Sequence, residues 1–389
     1  MTWVFRLRFA RDGLVAEWSC SGLQSRVRRF NSDPSLQFTL HARTQVTSKY
    51  ALNSRMASNP TWLLKEYPSG MPTIDNFSLA DRAAARPNEG ELLVRTLWLS
   101  VDPYMRGRIS PAKNYAAGLN IGDPMRGGGV GEIIESRSPA FRPGEVIQAD
   151  DFAWQPRTIV AAATATRLDP AEAPVQTSLG CLGMPGLTAY FALLDAGRPK
   201  AGETVLISAA SGAVGQIAGQ IARIKGLDAV AVAGSDAKVE WCKTIGYRTG
   251  VNHRSAANIP EAIAAACPRG IDVFIDNTAG PIHDAAMVNL NTFGRVVVVG
   301  TIALADRFGQ PDIGLRHLRK ILISRIHIQG FLLGDFRSSY GAARTQLLDW
   351  YKQGLLETRE DISTGIESVP GAFIRMLKGE NFGKQLVRL

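Results

Sequence analysis

At 389 residues, with 45% hydrophobic, 20% charged and 38 glycines, the chain has the length of about two domains and the composition of an α/β enzyme with many tight turns; no run nears the roughly 18 apolar residues of a membrane span. The formal net charge of +9 is concentrated at one end, because residues 1–55 carry nine of the 44 Lys/Arg and only three of the 35 Asp/Glu; the remainder is near neutral and has no nucleic-acid footprint. Cys20, Cys181, Cys242 and Cys267 are scattered without C-x-x-C spacing, which speaks against a disulfide scaffold or a structural zinc and for a reducing, cytoplasmic setting.

The first 55 residues are rich in Arg and Ser and poor in acids, the composition of an organelle transit peptide. A second reading is preferred. The stretch from Val15 to Pro34 looks like a translated transfer-RNA gene, since Arg29-Phe30-Asn31-Ser32 can be encoded by CGG-TTC-AAT-TCC, the sequence of a T-arm. On that reading Met56 is the true start and 1–55 is a disordered or spurious extension; a peptide from before Met56 in the natural protein would contradict it.

From Trp62 to about Pro174, short β-prone runs alternate with Gly and Pro. Strands are predicted at Glu91–Leu99, Gly129–Ser136 and Val146–Ala149, in a compact, mostly β domain. Val101 to Gly107 follows the first of them. If this loop faces a cleft, the Tyr104 phenol can donate a proton or a hydrogen bond; a turn cornered on Asp102-Pro103, with Tyr104 as packing, is the simpler reading of the residues alone. Gly180 to Tyr190 leads into a helix near Pro185 and joins two domains.

Thr204 to Arg223 reads as a buried strand, a turn of small residues, and a helix with apolar residues at Val214, Ile217, Ala218 and Ile221, the 3.6-residue period. Residues 210–215 spell A-x-G-x-x-G. A strand-to-helix turn of this kind suits a pyrophosphate, because the helix start presents unpaired N–H groups and small residues allow close approach. A second strand follows at Ala229–Ala233. The position about twenty residues past the fingerprint, where NAD enzymes keep an acid for the ribose, falls on Gly234-Ser235. Ser235 and Lys238 suit a 2′-phosphate and favour NADP; Asp236 between them leaves NAD open, and Ser235 as a helix cap fits both.

Further on, a helix is predicted around Ile259–Ala266, and buried strands at Val273–Asp276 and Arg295–Gly300. Alternating strands and helices build a doubly wound parallel sheet, an α/β fold of Rossmann type with its ligand beyond the carboxyl ends of the strands. Asn277, Gly300 and Thr301 occupy such ends, although a plain strand-to-loop turn explains Asn277 equally well. The tail adds a strand at Ile326–Leu333 and a helix about Thr345–Gln353. It closes on Gly379 to Val387, a turn and final strand that could return to the cofactor cleft. No HExxH, no zinc-spaced Cys/His cluster and no G-x-S-x-G occurs. A nucleotide site without these leaves hydride transfer as the leading chemistry.

VDPYMRGR at 101–108, GMPGLTAYF at 183–191, AASGAVG at 209–215, AGSDAKV at 233–239, DNTAG at 276–280 and MLKGENFGK at 376–384 together resemble the zinc-independent medium-chain dehydrogenase/reductase superfamily, in its prostaglandin reductase and curcumin reductase branch. The resemblance covers everything after Met56. It implies a GroES-like catalytic domain over 56–180, an NADP-binding Rossmann domain over 181–325, a segment 326–389 that returns to the catalytic domain, and a homodimer. It assigns Gly212, Ala213, Val214 and Gly215 to the pyrophosphate and Ser235 and Lys238 to the 2′-phosphate. Asn277 and Asn381 go to the nicotinamide ribose side, and Phe331 and Leu333 to the walls of the nicotinamide. Two positions depart from the family. Its Asn-Tyr-Lys reads Asn252-His253-Arg254, so His253 takes an altered adenosine-side contact. Its Ser-x-Tyr-Asn reads Ala303-Leu304-Ala305-Asp306, so the tyrosine associated with the substrate oxygen is Ala305.

The leading expectation is an NADPH-dependent reductase of the C=C bond of α,β-unsaturated aldehydes or ketones, with Tyr104 as a candidate donor and neither nucleic acid nor membrane as partner. Quinone reduction in the same cleft, and a catalytically weak NADPH-binding redox sensor, are its rivals.

Overall fold

The computed structural model describes residues 3–10, 13–20 and 58–389, except Ala84 and Lys113. Contacts divide the chain into Met1–Ala57 and Ser58–Leu389. Within residues 1–55, where composition predicts no fixed structure, β1 (Trp3–Ala10) and β2 (Gly13–Cys20) pair as an antiparallel ladder. Residues 21–55 and the proposed start at Met56 lie outside the described residues.

The larger unit begins with an antiparallel pair, β3 (Asn59–Leu64) and β4 (Phe77–Arg82). A mixed sheet follows, built from β5 (Glu91–Ser100), β6 (Arg126–Ser136), β7 (Val146–Ala153), β8 (Arg157–Ala161) and β9 (Thr166–Leu168). One half of β5 pairs with β8, and its other end, Trp98–Ser100, pairs with the last strand of the chain. The core here is aromatic: Phe77, Trp154 and Phe373 meet with centroids 6.0–6.3 Å apart, the separation at which ring pairs attract.

β10 (Thr204–Ser208), β11 (Asp228–Ala233), β12 (Thr249–Asn252), β13 (Ile271–Asp276), β14 (Leu290–Val298) and β15 (His327–Gly330) form a parallel sheet in the order β12-β11-β10-β13-β14-β15. This is the doubly wound order with its reversal beside the first strand. Alternation along β10 puts Val205 and Ile207 in one core, with Ile217 and Ile221 of the helix Gly215–Ile224, and Leu206 in the other, with Ile263 and Ile282. A sheet covered on both faces needs both sides apolar, and the sequence supplies them.

The segment 326–389 divides between the two sheets. β15 is the sixth strand of the parallel sheet, and the helix Tyr340–Lys352 packs against that sheet's core through Leu347 and Trp350. β16 (Glu360–Thr364), Ile366, the helix Val369–Leu377 and β17 (Lys384–Arg388) join the mixed sheet and its core. The boundary therefore differs from the sequence reading, because β14 offers a free edge that His327–Gly330 fills before the chain crosses back.

Candidate active site

After β10 the chain turns through Ala209 at φ 48°, and Gly212 donates its N–H to the Ala209 carbonyl at 2.8 Å. Gly215 is where the helix presses on this turn. A Cβ there would lie 2.5 Å from the Ala209 oxygen and 2.6 Å from the Ala210 Cα, so no larger residue fits. Ala213 and Val214 are half-exposed, and the N–H groups of Ala213, Val214 and Gly215 have no partner among the described residues. Unpaired donors at a helix start suit a phosphate.

Beyond the end of β11 the side chains are basic. Ser235 caps the helix Asp236–Thr244, accepting the Lys238 N–H. Lys238 Nζ donates to the Gly379 carbonyl at 2.7 Å and Arg254 Nη2 to the Lys378 carbonyl at 2.9 Å. A Cβ on Gly234 would meet Arg254 Nε at 3.3 Å and His253 Nε2 at 3.5 Å, so both border the same spot. Burial, Arg254 and Lys238 hold His253 below its ordinary value; burial and Arg254 likewise lower Lys238. Asp236 is spent elsewhere, accepting from Asn252 Nδ2 at 2.9 Å. Three basic side chains crowded together, with the neighbouring acid turned to an amide, fit a phosphate dianion better than a neutral ribose. Arg254 is the addition to the predicted set.

The final turn ties both halves together. Gly383 bridges to Gly212 in parallel register, at φ 94° and with no room for a Cβ, which would lie 2.1 Å from the Arg359 oxygen. Phe382 lies under the Arg359 guanidinium at 3.8 Å and edge-on to Trp241 at 5.6 Å. Asn381 Nδ2 donates to the Gly383 carbonyl. Lys384 then reaches the other wall, donating to Asp102 Oδ1 at 2.8 Å and to the Val101 carbonyl at 3.0 Å.

Tyr104, two residues beyond Asp102, is half-buried; its carbonyl accepts the Gly107 N–H, and its phenol has no hydrogen-bond partner among the described residues. Burial and then Asp102 push its phenol well above the ordinary value; it stays protonated and can only give or share its proton. Asn277 is pinned to the end of β10, its N–H on Ser208 Oγ and its Nδ2 on the Ser208 carbonyl, both at 2.8 Å. Gly300 donates to the Asp276 carbonyl, and Thr301 beside it is exposed.

Three further positions pack in or against the cores. The Phe331 ring stacks on Phe336 at 5.4 Å and belongs to the core around Phe191, because an aromatic side chain there gains more by burial than by lining a cleft. Leu333 packs on the same cluster and its carbonyl accepts from Tyr340 Oη. Ala305 is buried in the core of the mixed-sheet half, and its carbonyl accepts from Arg106 Nε at 2.8 Å. Among the described residues, no group of three or more His, Cys, Asp or Glu is placed to hold a metal ion, and no helix is long and apolar enough to cross a membrane.

Residues 60–168 match the N-terminal domain of oxidoreductase and residues 213–351 the zinc-binding dehydrogenase family. The chain belongs to the medium-chain dehydrogenase/reductase family. Its relatives include prostaglandin reductase 1 of Mus musculus, 37% identical over 86% of this chain and 100% of the relative. The NADP(+)-dependent 2-alkenal reductase of Nicotiana tabacum is 32% identical over 85% of this chain and 97% of the relative. Among solved structures, CurA from Vibrio vulnificus in complex with NADPH has a TM-score of 0.79 at 36% identity, covering 85% of this chain and 98% of that one.

Proposed function

We propose that this chain is an NADPH-dependent reductase of the conjugated C=C bond in α,β-unsaturated aldehydes and ketones. The observation that carries the cofactor choice is the meeting of Lys238, His253 and Arg254 around Gly234-Ser235, next to the unpaired N–H groups of Ala213 to Gly215. The free donors would hold the pyrophosphate, and Lys238, Arg254, His253 and Ser235 the 2′-phosphate. Asn277 and Asn381 would meet the nicotinamide ribose side, with Gly300 and Thr301 at the neighbouring strand end. Phe331 and Leu333, their side chains given to the core, would offer main chain. Bound there, the dinucleotide supplies the hydride.

Substrate choice rests on Tyr104. Reducing a conjugated C=C bond puts negative charge on the carbonyl oxygen, and a donor aimed at that oxygen lowers the barrier. Ala305 brings no donor and its methyl is buried, whereas the Tyr104 phenol is protonated and unengaged. The named substrates of the relatives, a 2-alkenal and prostaglandin, agree with this choice. NADPH oxidation by 2-alkenals, enones and quinones, with NADH as control, tests it; turnover on quinones alone, or NADPH binding without turnover, would contradict it. Replacing Tyr104 by Phe should lower kcat on enones about 100-fold and leave NADPH affinity within about twofold. Unchanged turnover would remove Tyr104 from the reaction.

The cytoplasmic setting is supported by Cys181, Cys242 and Cys267, which are free thiols. The homodimer is supported by the open edge of β15 and an apolar surface beside it: Ile313, Leu315, Leu318, Leu322 and Ile323 are each at least 60% exposed. An open strand edge with apolar surface of this kind pairs with another chain. Light scattering should give twice the chain mass, and Leu322→Glu with Ile323→Glu the single mass; a monomeric wild type would contradict the pairing.

A further inference from the structure

Asp276 is fully buried at the carboxyl end of β13. One of its oxygens is crowded with donors. Oδ1 accepts the Thr278 N–H at 3.0 Å, the Ala279 N–H at 2.9 Å, and the Ser208 and Thr278 hydroxyls at 3.2 Å. Ser208 is the residue that pins Asn277, and the Asp276 carbonyl receives both Val299 and Gly300. One buried residue thus sets the ends of three neighbouring strands where the nicotinamide would lie. It also holds a strained backbone. Ala279 sits at φ 59°, ψ −158°, a region that glycine alone enters freely.

The other oxygen has one partner among the described residues, His283 Nδ1, at 2.8 Å. His283 stands in the first turn of the helix Gly280–Val288, where a cation opposes the helix dipole; the carboxylate is what makes that position favourable. We infer that His283 is a positioning residue for the nicotinamide end of the cleft, acting through Asp276: the imidazole holds the carboxylate, and the carboxylate holds Ser208, Asn277 and the strained Ala279 ready for the cofactor. The inference rests on the NADPH reading above.

The charges facing His283 are Asp276 from β13, Asp284 from its own helix and Asp312 from the segment before the helix Leu318–Ser324. Asp284 is itself engaged by His317 Nε2 at 3.3 Å. The Asp276 hydrogen bond raises His283 above its ordinary value despite burial. The ion pair is therefore complete below the ordinary histidine value of about 6.5 and is lost as pH climbs through the raised one. Cofactor positioning should weaken in that alkaline limb.

The test compares wild type with His283→Asn, which can still donate a hydrogen bond but carries no charge. Affinities for NADPH and for 2′-phospho-ADP-ribose, which keeps the 2′-phosphate and the pyrophosphate and lacks only the nicotinamide, are measured from about pH 6 to pH 9. Titration of the 2′-phosphate and His253 cancels in their ratio. In wild type the ratio should fall severalfold with rising pH. In His283→Asn it should be flat and lower by on the order of tenfold at acid pH, with the affinity for the nicotinamide-free ligand unchanged. Adding Ala279→Gly, which removes the strain, should bring NADPH affinity back to within about twofold of wild type. A ratio and pH profile identical in both proteins, or equal loss of both ligands without rescue, would overturn the inference. A wild type that binds neither ligand would overturn the cofactor reading and this inference with it.

Discussion

Replacing Lys238 and Arg254 together by alanine should weaken NADPH binding by about 100- to 1,000-fold and leave NADH binding within about threefold, abolishing cofactor preference. Each side chain is placed to give a charge-assisted hydrogen bond to a phosphate dianion, and bonds of that kind contribute about 1.5–3 kcal/mol each. The two differ in what else they hold. Lys238 ties Gly379 and Arg254 ties Lys378, so their loss also frees the turn that carries Asn381 and Gly383. NADH reports on that turn alone, since it lacks the 2′-phosphate. Titration calorimetry of both dinucleotides separates the effects; equal loss of the two would mean that the cations serve the fold and not the phosphate.

Replacing Lys384 by Met should lower the melting midpoint by about 5 °C, the equivalent of about 3–5 kcal/mol. Lys384 and Asp102 bury their charged side chains to 3% and 5% exposure at 2.8 Å. Removing the cation alone leaves a carboxylate in the protein interior without its partner, which costs more than the pair itself contributes. Ser100 Oγ still donates to Asp102 but brings no charge. Glu360, in register with Lys384 and already pushed up by burial, loses the same neighbour. The double variant with Asp102→Asn should recover most of the loss, because the uncompensated charge is gone. Calorimetric scans of the two variants measure this, and a single variant that melts with wild type would show the pair to be energetically idle.

Elements governed by local chemistry were legible in the sequence. The helix expected around Ile259–Ala266 has those bounds, framed by Asn258 as cap and Pro260 in its first turn. Ser235 caps the helix Asp236–Thr244, the reading that was compatible with either dinucleotide. β14 starts at Leu290, earlier than its apolar run, because Phe293 takes a left-handed φ of 64° and breaks the pattern. What the sequence hid is what depends on distant partners. Lys384 finds Asp102 across 282 positions, and nothing local marks either as paired. His283 reads as one dispersed histidine among five until β13 brings Asp276 beside it. The strand read as Ile326–Leu333 ends at Gly330, so Phe331 lies just beyond it, and whether its ring faces cleft or core was decided by Phe336 and Phe191.

The central claim, reduction of the conjugated C=C bond with NADPH, is tested most directly by following the label. The protein is incubated with NADPH deuterated at the nicotinamide C4 and a 2-alkenal or enone, and the product is read by NMR. The account predicts a saturated carbonyl compound with deuterium on the β-carbon. Deuterium on the carbonyl carbon of an allylic alcohol, or recovery of the substrate unlabelled while NADPH is bound, would contradict it.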